Sequence, residues 1–265
     1  MGAVDYSKYE RLIVTKSDGI AEVCLNNPAK LNAIDTVMHA NLEYVWDDLN
    51  SDEDVRVVVI SGSGRAFCSG IDINEQVGKS RSGRGPRPRS SRRLFWNLLD
   101  FEKPVIAKVR GAAFGLGASV ALLSDVVVAE DRAIFCDSHA TLGITPGDGG
   151  AALWPLLIGF SRAKELLMLG DQISSAQALE LGLINHRVES AELDGFVKNL
   201  ANRFASAPPL ALWTTKISVN TMLKQLVAGV FETSLAYDLL TLRTEDHAVA
   251  AAAFKDKHKG PFNAR

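Results

Sequence analysis

Residues 103–125, KPVIAKVRGAAFGLGASVALLSD, constrain the fold of this chain more than any other stretch. Val105 to Val109 is a short apolar run between Pro104 and Arg110-Gly111, the pattern of a buried strand. Three glycines follow at spacings of four and two, Gly111, Gly115 and Gly117, and then a small-to-apolar helical run from Ala118 to Leu123. Glycines at a strand-to-helix junction let the backbone turn tightly and bring its N–H groups close to a ligand. The first helical N–H groups have no partner inside the helix, and the helix dipole favours negative charge there. The junction therefore suits an anion or the oxygen of a polarised carbonyl. Tight helix–sheet packing with no ligand is the competing reading.

Around this stretch the chain reads as α/β. Leu12 to Thr15 and Ile20 to Leu25 form a hairpin about Ser17-Asp18-Gly19. A helix follows from Asp35, its cap, to Leu49, and Val55 to Ser61 reads as a buried parallel strand. A second glycine-containing turn, Ala66 to Ile73, follows that strand. Val126 to Ala129 and Ala133 to Phe135 are short strands, and Ile184 to Val188 is a brief extended piece. Helices are predicted over Ala151 to Ile158, Ser161 to Leu169, and through Leu181 behind the capping box of Ser174 and Gln177. Two more run from about Ala191 to Ser206 and from about Leu210 to Phe254. No linker divides the chain before about residue 200, so a core domain over 1–200 and a C-terminal helical region over 201–265 are expected.

At 265 residues, 47% apolar and 23% charged, the composition is that of an ordinary globular protein. A net charge of −2 argues against a wholly nucleic-acid-binding protein and for a small-molecule or protein partner. Three scattered cysteines suggest reduced thiols in a cytoplasmic setting. The N-terminus lacks an apolar signal core, and no stretch reaches the roughly 18 apolar residues of a membrane span. A cytoplasmic protein without a membrane partner is the expectation. One segment is lopsided: from Lys79 to Arg93 seven basic residues are spaced by Gly, Pro and Ser with no acid between them. It reads as a mobile loop, serving either phosphate attraction or RNA binding, or simply solvated.

Taken together, Leu25-Asn26-Asn27-Pro28, Leu31-Asn32-Ala33, Phe67-Cys68-Ser69-Gly70-Ile71-Asp72-Ile73, the run from Lys103 through Gly117, Ser124-Asp125 and Gly143 to Gly150 closely resemble the crotonase (enoyl-CoA hydratase/isomerase) superfamily. The match spans about Leu12 to Phe262. The resemblance implies a spiral of ββα units with a C-terminal helical region that supports a homotrimer or hexamer. It also implies an acyl-CoA substrate, with coenzyme A as part of the substrate, no permanently bound cofactor and no metal. Its oxyanion hole would be the backbone N–H groups of Ser69 and Leu116, with Cys68, Gly70, Ile71, Asp72, Gly115 and Ser119 around the substrate.

The departures from that pattern matter equally. The two catalytic glutamates of enoyl-CoA hydratases fall on Ser119 and His139, so hydration by two carboxylates cannot run unchanged. His139 and Asp148, nine residues apart, are left as the acid/base candidates. The structural alternatives are a core histidine bonded to a carbonyl and a helix cap. The Gly-Asp-Gly-Gly loop also resembles that of β-diketone hydrolases, which cleave a carbon–carbon bond without coenzyme A. Asp238 is the nearest match to the further acid of that branch. Asn74 stands where many relatives carry a phosphate-facing lysine; the basic segment, or Lys257 and Lys259, could supply that charge. Three readings stay open: an acyl-CoA hydratase/isomerase-like enzyme working through a stabilised enolate, a β-diketone hydrolase, and a non-catalytic RNA-binding or scaffold homologue.

Overall fold

A computed structural model describes residues 4–75, 88–256 and 262–263. The chain alternates between two sheets. Strands β1 (Leu12–Ser17), β2 (Ile20–Leu25), β3 (Val57–Gly62), β4 (Val105–Val109), β6 (Val126–Glu130) and β9 (His186–Val188) form a six-stranded sheet in the order β1-β2-β3-β4-β6-β9. Only β1 and β2 pair antiparallel; the other neighbours are parallel. Strands β5 (Ala112–Phe114), β7 (Ile134–Cys136) and β8 (Ile173–Ser174) make a second, smaller sheet. At β4–β5 and again at β6–β7 the chain lays one strand in each sheet before a helix, as in the ββα spiral expected from the resemblance.

The helices are α1 (Thr36–Ser51), α2 (Pro88–Asp100), α3 (Leu116–Leu122), α4 (Gly150–Ile158), α5 (Phe160–Leu169), α6 (Ser175–Leu181), α7 (Leu193–Ser206), α8 (Pro209–Thr241) and α9 (Glu245–Asp256). Their caps follow the expected chemistry. Asp35 accepts the amide of Met38 at the start of α1, and Ser174 with Gln177 closes a capping box on α6. One face of the large sheet packs on α7 through Val57, Val59, Ile106 and Val128 against Leu193, Val197 and Ala201. The other face shares a single core with α1, α2 and the middle of α8, where Val227, Phe231 and Leu235 are buried.

Several expectations are corrected here. The glycine turn does not run straight into a helix: Ala112–Phe114 is a strand, and α3 begins at Leu116, earlier than Ala118. Three residues are too few to show the alternation by which strands are recognised. The helix expected over 210–254 is two, because the Thr244 hydroxyl accepts the His247 amide at 3.2 Å and starts α9 afresh. A boundary at residue 200 falls inside α7. The segment read as a mobile loop up to Arg93 is helical from Pro88, since Leu94, Phe95, Leu98 and Leu99 give α2 a buried face. Its arginines lie on the opposite side, Arg92 paired with Glu232 and Arg93 with Asp47 at 3.4 Å. Residues 79–87, with Lys257 and Lys259, lie outside the described residues. No helix among the described residues is long and apolar enough to cross a membrane.

Candidate active site

The two glycine turns named from the sequence lie side by side. Cys68 donates its amide to the Ala112 carbonyl and accepts the Phe114 amide, both at 2.9 Å, so β5 is zipped to the turn after β3. A Cβ built on Gly70 would lie 3.1 Å from the Phe114 carbonyl oxygen and 3.9 Å from the Gly115 Cα. The Cys68 thiol is fully buried, donates to the Asn32 carbonyl at 3.1 Å, and is pushed up to about 12 by that burial. It is a packing group between the turns.

The amides of these turns are not all available. Ser69 N–H donates to the Leu31 carbonyl at 3.0 Å, so the expectation that it faces a substrate oxygen is corrected. In the same turn, Ile71 bridges to Ile34 through its neighbours' hydrogen bonds, and its own N–H has no acceptor among the described residues. The Leu116 N–H, at the first position of α3, is likewise without an acceptor there. Asp72 is spent on structure: its carboxylate pairs with Lys30 at 2.6 Å and caps the Asn74 amide at 3.0 Å.

His139 follows β7 and sits next to the first of these turns, its Cε1 3.6 Å from where a Gly115 Cβ would be. It is bracketed by two carboxylates. Nδ1 meets Asp137 Oδ1 at 2.6 Å, and Nε2 lies 3.1 Å from Asp148 Oδ2, an ion pair in which that oxygen makes no aligned hydrogen bond. The other oxygen of Asp148 accepts the Ser119 hydroxyl at 3.0 Å. So the two positions at which the resemblance would place glutamates hold the imidazole and a hydroxyl, and Asp148 joins them.

The electrostatics are decided by mutual contact. Burial alone would lower the pKa of His139, but the charges of Asp148 and Asp137 and the hydrogen bond to Asp137 hold it well above 6.5. Burial would raise Asp148, yet the His139 charge and the Ser119 hydroxyl bring it below the ordinary carboxylate range. The pair is therefore imidazolium and carboxylate at neutral pH. Both structural alternatives are informative: His139 bonds a carboxylate rather than a carbonyl, whereas His247 is the core histidine, bonded to the Leu142 carbonyl at 2.8 Å. Asp148 is not the cap of α4, whose cap position is Gly149 with no side-chain cap hydrogen bond; its contacts are with His139 and Ser119.

Two acids complete the cluster. Asp137, not singled out from the sequence, is 1% exposed, and its second oxygen presses on Gly150, where a Cβ would lie 1.9 Å away. Only glycine fits there. Its position two residues before His139 was the available signal, since extended residues i and i+2 share a side. Asp238 of α8 is brought to the Gly147-Asp148 loop by a close approach at Gly147, where a Cβ would lie 2.4 Å from the Asp238 Cβ. Burial, with the Asp148 and Asp137 charges and against that of His139, pushes its carboxyl up to about 7.

Asp137, His139 and Asp148 offer ligand atoms within 4.8 Å of one another. The 2.6 Å Nδ1–Oδ1 contact is a hydrogen bond, closer than the roughly 3.3 Å that separates two ligands of a tetrahedral ion bound at about 2 Å. The arrangement offers an acid and a base side by side for proton transfer.

Comparison with known proteins agrees with this fold. A family model described as enoyl-CoA hydratase/isomerase matches residues 15–265. The short-chain-enoyl-CoA hydratase of Clostridium acetobutylicum is 32% identical over 253 residues, covering 94% of this chain and 95% of that protein. Among solved structures, an enoyl-CoA hydratase from Mycobacterium avium subsp. paratuberculosis superposes with a TM-score of 0.87 at 28% identity, covering 96% of this chain and 98% of that one. A β-diketone hydrolase from the cyanobacterium Anabaena gives 0.81 at 30% identity, covering 90% and 96%. On its sequence, its two-sheet spiral and its paired glycine turns, the chain belongs to the enoyl-CoA hydratase/isomerase family.

Proposed function

We propose that this enzyme acts on an acyl-CoA thioester and moves a proton between carbons of the acyl group through an enolate. The N–H groups of Ile71 and Leu116, in place of the Ser69–Leu116 pair expected from the sequence, hold the thioester oxygen. Their free amides in adjacent turns support that assignment. Donors aimed at the oxygen stabilise the enolate more than the neutral carbonyl, and the difference lowers the barrier. Asp148, ionised and with one oxygen lacking an aligned hydrogen bond, takes the proton; His139, held as imidazolium, returns one to another carbon. Asp137 keeps the imidazole charged and oriented.

The single observation that carries this reading is His139 bracketed by Asp148 and Asp137 beside the Gly115 turn. One acid/base pair suits isomerisation; addition of water by two carboxylates has no counterpart at Ser119 and His139. Coenzyme A enters as part of the substrate, and no resident cofactor is invoked. A cytoplasmic location accords with Cys24, Cys68 and Cys136 as free thiols. Exposed Phe160, Met168 and Leu169 on α5 and Leu210 and Met222 on α8 favour a homotrimer or hexamer, which light scattering of the purified protein decides. Exchange of acyl α-protons in D2O, followed by NMR on a 3-enoyl-CoA, tests the mechanism. Exchange lost in Asp148→Asn with the fold intact is expected; exchange at the wild-type rate in that variant removes Asp148 from the chemistry.

A second reading is favoured by Asp238. An acid near neutrality, beside a His–Asp pair, is the set expected of carbon–carbon bond hydrolysis without coenzyme A. The Anabaena relative is a β-diketone hydrolase bound to (S)-3-oxocyclohexyl acetic acid. Calorimetric titration with coenzyme A separates the two readings, since binding supports the first and its absence the second.

A further inference from the structure

A hydroxyl inside a helix ordinarily bonds back to the carbonyl of the preceding turn. Along α8, Thr214, Thr215, Ser218, Thr221 and Thr233 all do so, each donating to the carbonyl four residues back at 2.7–2.8 Å. Ser119 in α3 does not. The carbonyl four residues before it, Gly115, takes the Ser119 N–H at 3.0 Å, and the hydroxyl leaves the helix to donate to Asp148 Oδ1 at 3.0 Å. Ser119 is 1% exposed, so solvent offers no alternative partner.

The bond joins two parts of the site. Ser119 lies three residues after Leu116, whose N–H is one of the two donors assigned to the thioester oxygen. Residues three apart share one face of a helix, so α3 carries an oxygen donor and the partner of Asp148 on adjacent turns. From the other side, the loop that carries Asp148 presses on the same serine. A Cβ built on Gly149 would lie 3.3 Å from both Cβ and Oγ of Ser119, and Gly149 has a φ of 131° that other residues rarely adopt. The remaining charged or titratable groups facing Asp148 are His139 and Asp137, Asp238 of α8 and the buried Cys68 thiol. None of these side chains donates to Oδ1, and His139 lies on Oδ2.

We propose that Ser119 is a positioning residue, which ties the carboxylate that takes the proton to the helix that holds the thioester oxygen. This rests on the acyl-CoA reading and adds to that site a residue that neither binds the oxygen nor transfers the proton. Without the hydroxyl, Asp148 keeps His139 as its only side-chain partner. A hydrogen bond to a carboxylate favours the ionised form, so its loss makes Asp148 harder to ionise and frees it to drift from the acyl carbon.

The test compares wild type with Ser119→Ala and Ser119→Cys, using thermal melts to establish folding. The first measurement is α-proton exchange of 3-hexenoyl-CoA in D2O across pH. Ser119→Ala is expected to lower kcat about 10- to 100-fold with KM little changed, and to move the limb for the essential base to higher pH by about one unit. The limb for the essential acid stays in place. Cysteine is a weak donor and should fall between serine and alanine. Were the role only steric, cysteine, the bulkier side chain, would be the worse variant, and that order overturns the proposal. The second measurement is carbon-13 NMR of the Asp148 carboxyl, identified by its absence in Asp148→Asn; its titration midpoint should be higher in Ser119→Ala than in wild type. A base limb or a carboxyl midpoint that stays put in folded Ser119→Ala overturns the proposal and leaves the thioester reading standing. If wild type exchanges no α-protons, that reading fails, and the carboxyl midpoint alone decides: a higher value in Ser119→Ala upholds the hold on Asp148, and an equal one overturns it.

Discussion

Asp137 and His139 are joined twice: one carboxylate oxygen accepts from the imidazole Nδ1 at 2.6 Å and from the His139 amide at 3.3 Å. The contact fixes the ring's orientation and, with Asp148 on the far nitrogen, keeps both nitrogens protonated. Under the proposed mechanism a histidine in this setting works as an acid first. The negative charge that balances it is shared by two carboxylates on opposite edges of the ring, one two residues away in sequence and one brought there by the fold.

The first expectation concerns Asp137. Asp137→Asn keeps the side chain's volume while removing its charge, so the imidazolium loses one of its two counterions and its pKa falls. The loss in kcat/KM is expected to be about 10²- to 10⁴-fold, the range of a mispositioned acid/base. The diagnostic measurement is the pH profile, whose limb for the essential acid should move to lower pH. A profile of unchanged shape, with activity merely scaled down, would mean that Asp137 only supports the fold.

Asp148→Asn tests the pair by stability. The raised pKa of His139 contributes stability that is complete below its unfolded value, about 6.5, and is lost as pH rises through the folded value. The lowered pKa of Asp148 contributes above its unfolded value, about 3.8, and is lost as pH falls through the folded one. Both terms are present together between about pH 4 and 6.5. In that window the substitution should cost about 3 kcal/mol, the low end for breaking a buried pair, because Asp137 remains. Urea titrations across pH should show a smaller cost on either side. A cost that does not vary with pH contradicts the pairing.

How much of this was legible beforehand differs by element. Strands with continuous β-branched runs, such as Val57 to Ile60, and helices with their own caps, such as α1 behind Asp35, could be read directly, because the signal is local. Strand β5 was not, being three residues between glycines. The fold as a whole and the pairing of His139 with Asp148 were anticipated. The error at Ser69 has a different origin: its amide is consumed by Leu31, and only the three-dimensional path of residues 31–34 along the turn decides which N–H stays free. Asp137 escaped notice although its spacing from His139 was suggestive. Ser234, Leu235 and Leu242, at helical spacing around Asp238, put it on the inward side of α8, but that this side meets a loop 90 positions upstream is set by the fold and not by its neighbours.

Asp238 carries its own pH signature. With a folded value of about 7 against about 3.8 unfolded, its ionised form is penalised in the fold. The sign is opposite to that of Asp148: stability is undiminished below about pH 3.8, falls as pH rises between 3.8 and 7, and is lowest above 7. Asp238→Asn removes the ionisation, so it should stabilise the protein by a few kcal/mol at pH 8 and by about 2 kcal/mol less at pH 5. Chemical denaturation at both values measures this. A gain that is the same at both would mean that Asp238 titrates normally.

Gly117 tests the juxtaposition of the two turns without touching a proton-transfer group. A Cβ there would lie 2.6 Å from the Cys68 Cβ and 2.7 Å from both its carbonyl oxygen and Sγ, separations that no real contact sustains. Gly117→Ala must therefore move α3 away from the Cys68-Ser69-Gly70 turn, and the Leu116 amide away from that of Ile71. Overpacking of this kind costs about 1–3 kcal/mol of stability, which a protein of this size can bear. The effect on catalysis should be larger than the stability loss suggests, because an oxyanion donor that misses its target forfeits about 10²- to 10³-fold in kcat. The His139–Asp148 contacts do not involve Gly117, so the pH dependence of what activity remains should be that of the wild type. A variant that melts slightly lower yet turns over at the full rate would show that the two turns do not act on one oxygen.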